Sequence, residues 1–343
     1  MTLAYDKNDV QKCKDTCSRI RGPALPFWGR SLATGSLAVG KLAYGAEVRQ
    51  LKVQQERAVR ITAGACMWGK PGTHRNTGVM YTVLSKGHFC DLSQAMLTTR
   101  IMRVAKAFRN SPHLAALFWQ IKINTHVGPR TLCRGPVEAL LRACARLGIR
   151  WLQPFGFEVD GVLHAVRFMN IAAFAHAVRQ AGRHMVWKQT RQDAARGEEP
   201  GTLHELGLGG GVDRRRTLAL YRTAGKDVQG MLRVILCNGV WTNEIRAKTQ
   251  RNRGIVDPTC PHCGTGEVES LEHVWLRCAA YDRQREEFAL ETGKTVSEAI
   301  FQHALPRCTV RCGIAKKGFP DDFPLVSYQR MLCRIFQARA CAR

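Results

Sequence analysis

The chain has 343 residues, of which 45% are hydrophobic and 23% are charged, a composition that excludes wholesale disorder and allows a buried core. No run of residues approaches the ~18 consecutive apolar residues of a transmembrane helix, and the polar start matches neither a signal peptide nor a transit peptide. The formal net charge is +25, and 37 of the 52 basic residues are arginine, whose guanidinium binds phosphate through paired hydrogen bonds. A genome rich in arginine codons is the alternative explanation, and we expect contact with nucleic acid but not with a membrane.

Fourteen cysteines in a chain without a secretory signal predict free thiols rather than a disulfide framework. Isolated cysteines on apolar helical faces are expected to be small buried side chains, and these are Cys66, Cys90, Cys133, Cys144 and Cys237. This usage fits a reducing compartment, so the protein is predicted to be nuclear or cytoplasmic and not secreted. Cysteines that form an organised set are then expected to bind metal.

Hydrophobic periodicity predicts a mainly α fold that one glycine-rich segment divides. Six glycines and a proline occur within residues 196–212, where basic residues nearly vanish, which is typical of a linker. We predict the following order along the chain: a leader at 1–12, a helical region at 13–195, the linker at 196–212, basic helices with a metal module at 213–285, and an irregular tail rich in arginine and cysteine at 286–343.

Local signals place several helices in the first region. Small residues within 31–48 would let a helix pack closely against its neighbours. Either Asp91 or Ser93 is positioned to cap the next strongly periodic helix. A helix is also predicted at 136–147, where proline suits the first turn and glycine follows the last, and another at 162–181.

The clearest motif lies at residues 260–278, which read CPHCGTGEVESLEHVWLRC. Two cysteines separated by two residues aim both sulfurs at one point when they share a turn, and Gly264 follows where that turn needs an open backbone angle. Ser270 is positioned to cap a helix that presents a histidine and a later cysteine to the same point. The predicted metal ligands are Cys260, Cys263, His273 and Cys278.

This ligand set predicts the kind of metal. Three thiolates and one imidazole complete a tetrahedral shell without an open position, which indicates one structural Zn²⁺ rather than a catalytic ion. The alternative is a chance cluster in a cysteine-rich chain. We expect His262, between the first two cysteines, to point outward, and Trp275 to lie in the core rather than stack on bases.

Two stretches, in family order, resemble the part of non-LTR retrotransposon reverse transcriptases that follows the polymerase. The more specific stretch, at 232–285, has the family's order of a basic helix, a zinc knuckle and an arginine-rich continuation. Its matching residues are Cys260-Pro-His-Cys-Gly, Glu269, Glu272-His273, Cys278, Tyr281 and Arg283. The looser stretch resembles the family's helical thumb, and its matching residues are Arg19-Ile-Arg, Leu25-Pro26 and Leu42–Val48. Together the two matches extend over most of the chain.

The resemblance implies a thumb, a connector and a zinc knuckle, and it implies a polymerase palm before residue 20, where only nineteen residues are present. The chain lacks a Tyr/Phe-x-Asp-Asp hairpin there, and two-metal nucleotidyl transfer needs those carboxylates. We therefore expect a nucleic-acid-binding fragment of a reverse transcriptase polyprotein, without polymerase activity of its own. Two alternatives stay open: part of an active RNA-directed DNA polymerase whose palm lies upstream in the intact gene, or a zinc-stabilised protein-interaction domain.

Basic residues flank the metal motif along the chain, and we expect them to contact the phosphate backbone of RNA or DNA. Such contacts supply affinity but do not read base sequence. The predicted residues are Arg214, Arg215, Arg216, Arg246, Lys248, Arg251 and Arg253. The first three follow a helix cap at Asp213, where their charges oppose the helix dipole unless an anion neutralises them.

Two other groups have less support. Phe319-Pro-Asp-Asp-Phe spells Phe-x-Asp-Asp, but Pro320 and Pro324 oppose a strand hairpin, so Asp321 and Asp322 are expected in a solvated turn. A second set of metal-ligand types lacks a local fourth ligand, and structural thiols are favoured there. That set consists of His303, Cys308 and Cys312.

Overall fold

The structure is a computed structural model that describes residues 3–5, 7–22, 24–46, 49–69, 76–124, 135–195, 211–249 and 256–342. Most of these residues are helical, which confirms the prediction of a mainly α protein. Within the described part, no helix combines the length and the apolar character that crossing a membrane requires. The chain divides into two compact units, which comprise Met1–Gly72 with Ser85–Gln189, and Thr73–Leu84 with Thr190–Arg343.

The elements of the first unit alternate short and long helices with two small sheets. The helices up to residue 110 are α1 Lys7–Arg21, α2 Phe27–Ala33, α3 Gly40–Ala43, α4 Val53–Trp68, α5 Thr77–Val79 (in the second unit), α6 Gly87–Cys90 and α7 Leu92–Asn110. They are followed by α8 Pro112–Ile123, α9 Pro136–Leu147 and α10 Ile171–Ala195. Strands β1 Leu3–Ala4 and β2 Arg49–Gln50 pair in parallel, and β3 Arg150–Gln153, β4 Gly156–Val159 and β5 Val162–Ala165 form an antiparallel sheet.

The second unit is built from the remaining helices. These are α11 Arg214–Thr217, α12 Ala219–Thr223, α13 Lys226–Leu236, α14 Asn243–Thr249, α15 Asp282–Thr292, α16 Val296–Gln302, α17 Arg307–Cys312 and α18 Leu325–Cys341. Short π-helical turns occur at Thr34–Val39, Met80–Leu84 and His273–Arg277, of which the first joins α2 to α3. A 3₁₀ turn at Ala279–Tyr281 leads into α15.

Local sequence signals account for the best-predicted helices of the first unit. The Asp91 carboxylate accepts a hydrogen bond from the Ser93 N–H at 3.0 Å and caps α7, so Asp91 rather than Ser93 is the cap. Helix α9 begins at Pro136 and is followed by Gly148 in the left-handed conformation, as predicted. Both helices contribute to a core that contains Phe108, buried against the sheet.

Small residues in the segment from α2 to α3 allow close packing, as we predicted. Gly35 lies in the π-helical turn against Phe89, and a Cβ atom at Gly35 would overlap the phenyl ring. Around it, Ala38 and Val39 are completely buried. The chain can approach this closely because glycine has no side chain.

The predicted helix at 162–181 is wrong at its start. Residues 162–165 form strand β5, which pairs with β4 so that Val162 faces Val159, and helix α10 begins only at Ile171. Asp160 and Gly161 make the two-residue turn between them with φ angles of 51° and 79°. An Asp-Gly pair suits a type I′ turn, whose two central residues both need positive φ, and that signal was readable in the sequence.

The predicted leader at 1–12 is helical over much of its length. Helix α1 begins at Lys7. The segment is helical because helical spacing gathers one apolar stripe on its buried face, formed by Val10, Cys13, Cys17 and Ile20. In the predicted linker at 196–212, only Gly211 and Val212 lie within the described residues. The second unit resumes at Thr190, six residues before the predicted linker starts.

The second unit takes in a segment from an earlier part of the chain. The Asn76 N–H donates to the Cys237 carbonyl at 2.6 Å, and Arg214 Nε donates to the Val83 carbonyl at 2.8 Å. The side chains between Val79 and Leu84 are buried. Residues 76–84 are therefore part of the core of this unit, which the division of the sequence into consecutive regions did not predict.

The stretch that we expected to be an irregular tail carries four helices, α15 to α18. In α18, Leu325, Tyr328, Leu332 and Ile335 are buried at helical spacing, which gives the helix a continuous apolar face. The Tyr328 hydroxyl donates to the Val310 carbonyl at 2.7 Å. Helix α18 is thus a structural part of the second unit.

Candidate metal centre

The first two predicted ligands lie on a turn closed by a short antiparallel bridge. Thr259 and Val268 form the bridge, and the Cys260 N–H donates to the Glu267 carbonyl at 2.8 Å. Gly264 has a φ of 67°, which confirms that the turn needs an open backbone angle at this position. The turn directs the two cysteines toward the same side.

The other two ligands come from the chain that follows. The Ser270 hydroxyl accepts a hydrogen bond from the His273 N–H at 3.0 Å, which confirms the predicted cap. The helical segment is a single π turn from His273 to Arg277, and Cys278 closes it by donating its N–H to the His273 carbonyl at 2.8 Å. Trp275 on this turn is completely buried and donates from Nε1 to the Arg311 carbonyl, so it belongs to the core as predicted.

The four ligand atoms converge on one point. All of them lie within 4.8 Å of one another, the sulfurs of Cys260 and Cys278 are 3.7 Å apart, and Cys263 Sγ is 3.4 Å from His273 Nε2. A tetrahedral ion with metal–sulfur bonds of about 2.3 Å holds its sulfurs about 3.8 Å apart, which matches the separation observed. The cluster could therefore hold a metal ion, and it is the one such group of three or more ligand residues among those the structure describes.

A carboxylate orients the histidine. Glu267 Oε2 lies 2.9 Å from His273 Nδ1, on the side of the ring that faces away from the sulfurs. A carboxylate at this nitrogen fixes the tautomer that leaves Nε2 as the ligand atom and increases its basicity. The sequence predicted His273 as a ligand but did not indicate Glu267 as its partner.

The thiols differ in their acidity. Hydrogen bonds from the hydroxyl and the N–H of Thr265 lower the pKa of Cys263 to about 6, and the hydroxyl lies 3.0 Å from Sγ. Burial raises the pKa of Cys278 to about 12. A divalent cation binds thiolates, so binding at this centre must displace the proton of Cys278.

A second carboxylate lies fully buried beside the cluster. Glu269 has no exposed side-chain surface, and it accepts hydrogen bonds from the Asn243 N–H at 2.6 Å and from Arg339 Nε at 2.8 Å. His262 Nε2 lies 3.8 Å from the same carboxylate, and the His262 ring is near that of Tyr281. The expectation that His262 points outward is therefore wrong: only 8% of its side chain is exposed, because it fills the space next to Glu269.

Two of the arginines predicted to bind phosphate make contacts inside the second unit. Arg216 donates to the Phe319 carbonyl at 2.7 Å and pairs with Asp321 at 2.9 Å, which supplies the anion that this helix start required. Asp213 caps α11, as predicted. Arg214 donates to a backbone carbonyl, whereas Arg215 is exposed. Of these three arginines, Arg215 is the one whose position suits a phosphate contact.

The basic residues of α14 lie next to the metal loop. Arg246 is half-buried and Lys248 is exposed, although Lys248 also pairs with Glu244 at 2.6 Å. Arg251 and Arg253 lie outside the described residues. Arg246 and Lys248 are therefore carried by a helix that contacts the metal loop through Asn243, which donates from Nδ2 to the Thr259 carbonyl.

The weaker candidates do not come together as a site. Asp321 is paired with Arg216, and Asp322 lies 3.6 Å from His303 Nδ1, so the two carboxylates have separate partners. Cys308 and Cys312 are buried thiols, and burial raises their pKa values. Among the residues that the structure describes, these two cysteines and His303 are not grouped as metal ligands.

Comparison with known proteins does not add to this picture. No protein-family model matches the sequence, and neither the curated proteins nor the solved structures include a match to it. The interpretation of the metal centre therefore depends on its own residues.

Proposed function

We propose that the chain binds one structural Zn²⁺ and uses the resulting rigid module to hold basic side chains against the phosphate backbone of RNA or DNA. Three sulfurs and one imidazole nitrogen in a tetrahedral arrangement suit zinc better than the hard cations that prefer oxygen. The set has no position left for a substrate, which supports a structural role. Zinc would stabilise the loop by joining its four ligands at one point.

One observation carries the proposal for nucleic acid: the metal loop holds the basic helix α14. Asn243, at the start of α14, donates from Nδ2 to the Thr259 carbonyl at 3.0 Å and from its N–H to Glu269 at 2.6 Å. Arg246 lies one turn further along this helix. A cation held on a rigid element loses less entropy when it binds phosphate, and the net charge of +25 favours any polyanion.

We further propose that the chain is the nucleic-acid-binding part of a non-LTR retrotransposon reverse transcriptase. The ligand spacing, the glutamate before the histidine and the two stretches in family order support this assignment. The separate partners of Asp321 and Asp322 favour a binding role for the residues described here. The alternative that the experiments must distinguish from nucleic-acid binding is a zinc-stabilised domain that binds another protein.

Metal analysis of the purified chain tests the first step. We expect about one zinc per chain, and we expect it to be lost in Cys263→Ser and in His273→Ala. Cys341→Ser is the matched control, because Cys341 is exposed and lies outside the cluster. Zinc that persists in both ligand variants would refute the site.

Titration of a labelled DNA duplex at several salt concentrations tests the second step. Each phosphate contact contributes a slope of about −0.9 to the dependence of log K on log salt. Arg215→Gln combined with Arg246→Gln should reduce the slope by up to about 1.8, whereas Arg307→Gln, at another exposed arginine, should not change it. A slope near zero for the unmodified chain would favour the protein-interaction alternative.

A further inference from the structure

The first unit displays an aromatic and basic surface that the metal centre does not involve. Phe168 is 81% exposed, although its backbone is held in place by a hydrogen bond from its N–H to the Ala165 carbonyl at 3.0 Å. The guanidinium of Arg167 lies 5.4 Å from the centre of the Phe168 ring and 5.3 Å from that of Phe155. Two cation–π contacts restrict the position of the guanidinium, and its N–H groups stay available as hydrogen-bond donors.

The stretch of chain that contains Arg167, Phe168 and most of α10 has no acidic residue. Residues 161–192 contain five Lys or Arg and no Asp or Glu. On α10, His176, Arg179 and Arg183 are spaced by three and four residues and therefore share one stripe. Burial, and then the charge of Arg179, lower the pKa of Arg183, as expected for cations without a carboxylate between them.

Asp160 and Asp193 flank this region in the chain, and the first of them has a neighbour on α10. Asp160, in the turn between β4 and β5, lies 3.8 Å from His184. Arg183 donates to the amide oxygen of Gln180 at 3.1 Å, which orients its guanidinium without neutralising it. The segment that leads into α10 thus exposes apolar side chains, of which Phe168 is the most exposed, and the helix carries two arginines on one stripe.

Single-stranded nucleic acid matches this combination of chemistry. Each unpaired base offers a face that stacks on an aromatic ring, and each phosphate offers a bidentate partner to arginine. The phosphates of a duplex could contact the arginines, but its bases could not stack on Phe168, because they already stack on one another. An acidic protein would use the charges and gain less from a single exposed ring.

We propose that Arg167 and Phe168, together with Arg179 and Arg183 of α10, form a binding site for single-stranded nucleic acid. The site deepens the proposed function, nucleic-acid binding, and adds a surface that does not require the metal ion. Phe168 stacks on a base, Arg167 contacts the adjoining phosphate, and the α10 stripe contacts the phosphates beyond.

Fluorescence anisotropy of the full chain with a labelled oligothymidylate of about 16 nucleotides tests the site. We expect Phe168→Ala to weaken binding by roughly tenfold, in the range that loss of one stacked base produces. Phe301→Ala is the matched control, because Phe301 is 89% exposed and lies in the second unit. Arg179→Gln with Arg183→Gln should reduce the salt slope by about 1.4, and binding of a duplex should not respond to Phe168→Ala.

The outcomes separate this proposal from the proposed function. If Phe168→Ala and Phe301→Ala bind the oligothymidylate as the unmodified chain does, the site is refuted, whatever happens at the metal centre. If Cys263→Ser abolishes salt-dependent duplex binding but retains the Phe168-dependent step, both proposals stand. Ultraviolet crosslinking followed by mass spectrometry gives an independent readout: crosslinks should map to residues 161–183, and crosslinks confined to residues 211–342 would overturn the site.

Discussion

Arg339, near the end of the last helix, donates from Nε to the buried carboxylate of Glu269 at 2.8 Å, and a second nitrogen donates to the Trp241 carbonyl at 2.7 Å. The side chain of Arg339 is 5% exposed and that of Glu269 is not exposed at all. This pair joins α18 to the loop that carries the metal ligands. Because the carboxylate is buried, it depends on the arginine for neutralisation.

We predict that Arg339→Met lowers the free energy of unfolding by about 3–5 kcal/mol, the cost of leaving a buried charge without its partner. Urea denaturation of the zinc-loaded chain measures the change. Arg283→Met should cost less than about 1 kcal/mol, because the Arg283 side chain is 85% exposed and its pair with Glu287 is on the surface. Equal effects of the two substitutions would contradict a structural role for Arg339.

The Glu267 carboxylate should influence metal affinity without being a ligand. We predict that Glu267→Ala weakens zinc binding about 10- to 100-fold, because His273 loses the partner that sets its tautomer. Competition with a chromogenic chelator measures the affinity. Glu286→Ala, at an exposed position in α15, should bind zinc like the unmodified chain, and a Glu267→Ala affinity equal to that of Glu286→Ala would show that the hydrogen bond contributes nothing.

The sequence predicted the ligands of the metal centre but not the residues that support them. Cys260, Cys263, His273 and Cys278 lie within one short stretch, so their spacing alone brings them together. Arg339 lies far along the chain, and only the packing of α18 places it beside Glu269. The same limit applies to Arg216, whose position at a helix start suggested a phosphate contact but whose actual partner is Asp321.

The fold shows a similar division. The helices with clear caps, α7 after Asp91 and α9 from Pro136, were predicted because their signals are local. The strand at 162–165 was predicted as part of the following helix. Its four residues, three apolar and one histidine, are too few to show a period of their own. The burial of residues 76–84 in the second unit is a tertiary arrangement for which one sequence contains no sign.

Gly35 should be intolerant of any side chain. We predict that Gly35→Ala destabilises the first unit by about 1–3 kcal/mol, because the added Cβ overlaps the ring of Phe89 and must displace it. Gly29→Ala, one helix earlier, is the matched control: its Cβ would meet Pro26 at 3.5 Å, an ordinary contact, so the variant should be neutral or up to about 1 kcal/mol more stable. Hydrogen exchange of the α4 and α7 amides reports on this unit, and protection that is unchanged in Gly35→Ala would refute the close contact.

Glu56 should make the stability of the first unit depend on pH in acid. Burial alone would raise the pKa of Glu56, but the Arg146 guanidinium at 3.1 Å and the Ser93 hydroxyl hold the pKa below its ordinary value. A carboxyl whose pKa is depressed in the folded state stabilises it fully above the unfolded pKa of about 4.3, and this contribution is lost as the pH falls through the folded value. We therefore predict that Glu56→Gln costs about 1–2 kcal/mol at pH 7 and that the difference from the unmodified chain begins to shrink near the unfolded pKa of about 4.3 and is lost as the pH falls through the lower folded pKa. Hydrogen exchange of the α4 amides at about pH 7 and in acid measures the difference in stability. Asp15→Asn, at an exposed position, is the control. A difference that persists unchanged in acid would show that the ionised Glu56 carboxylate does not cause it.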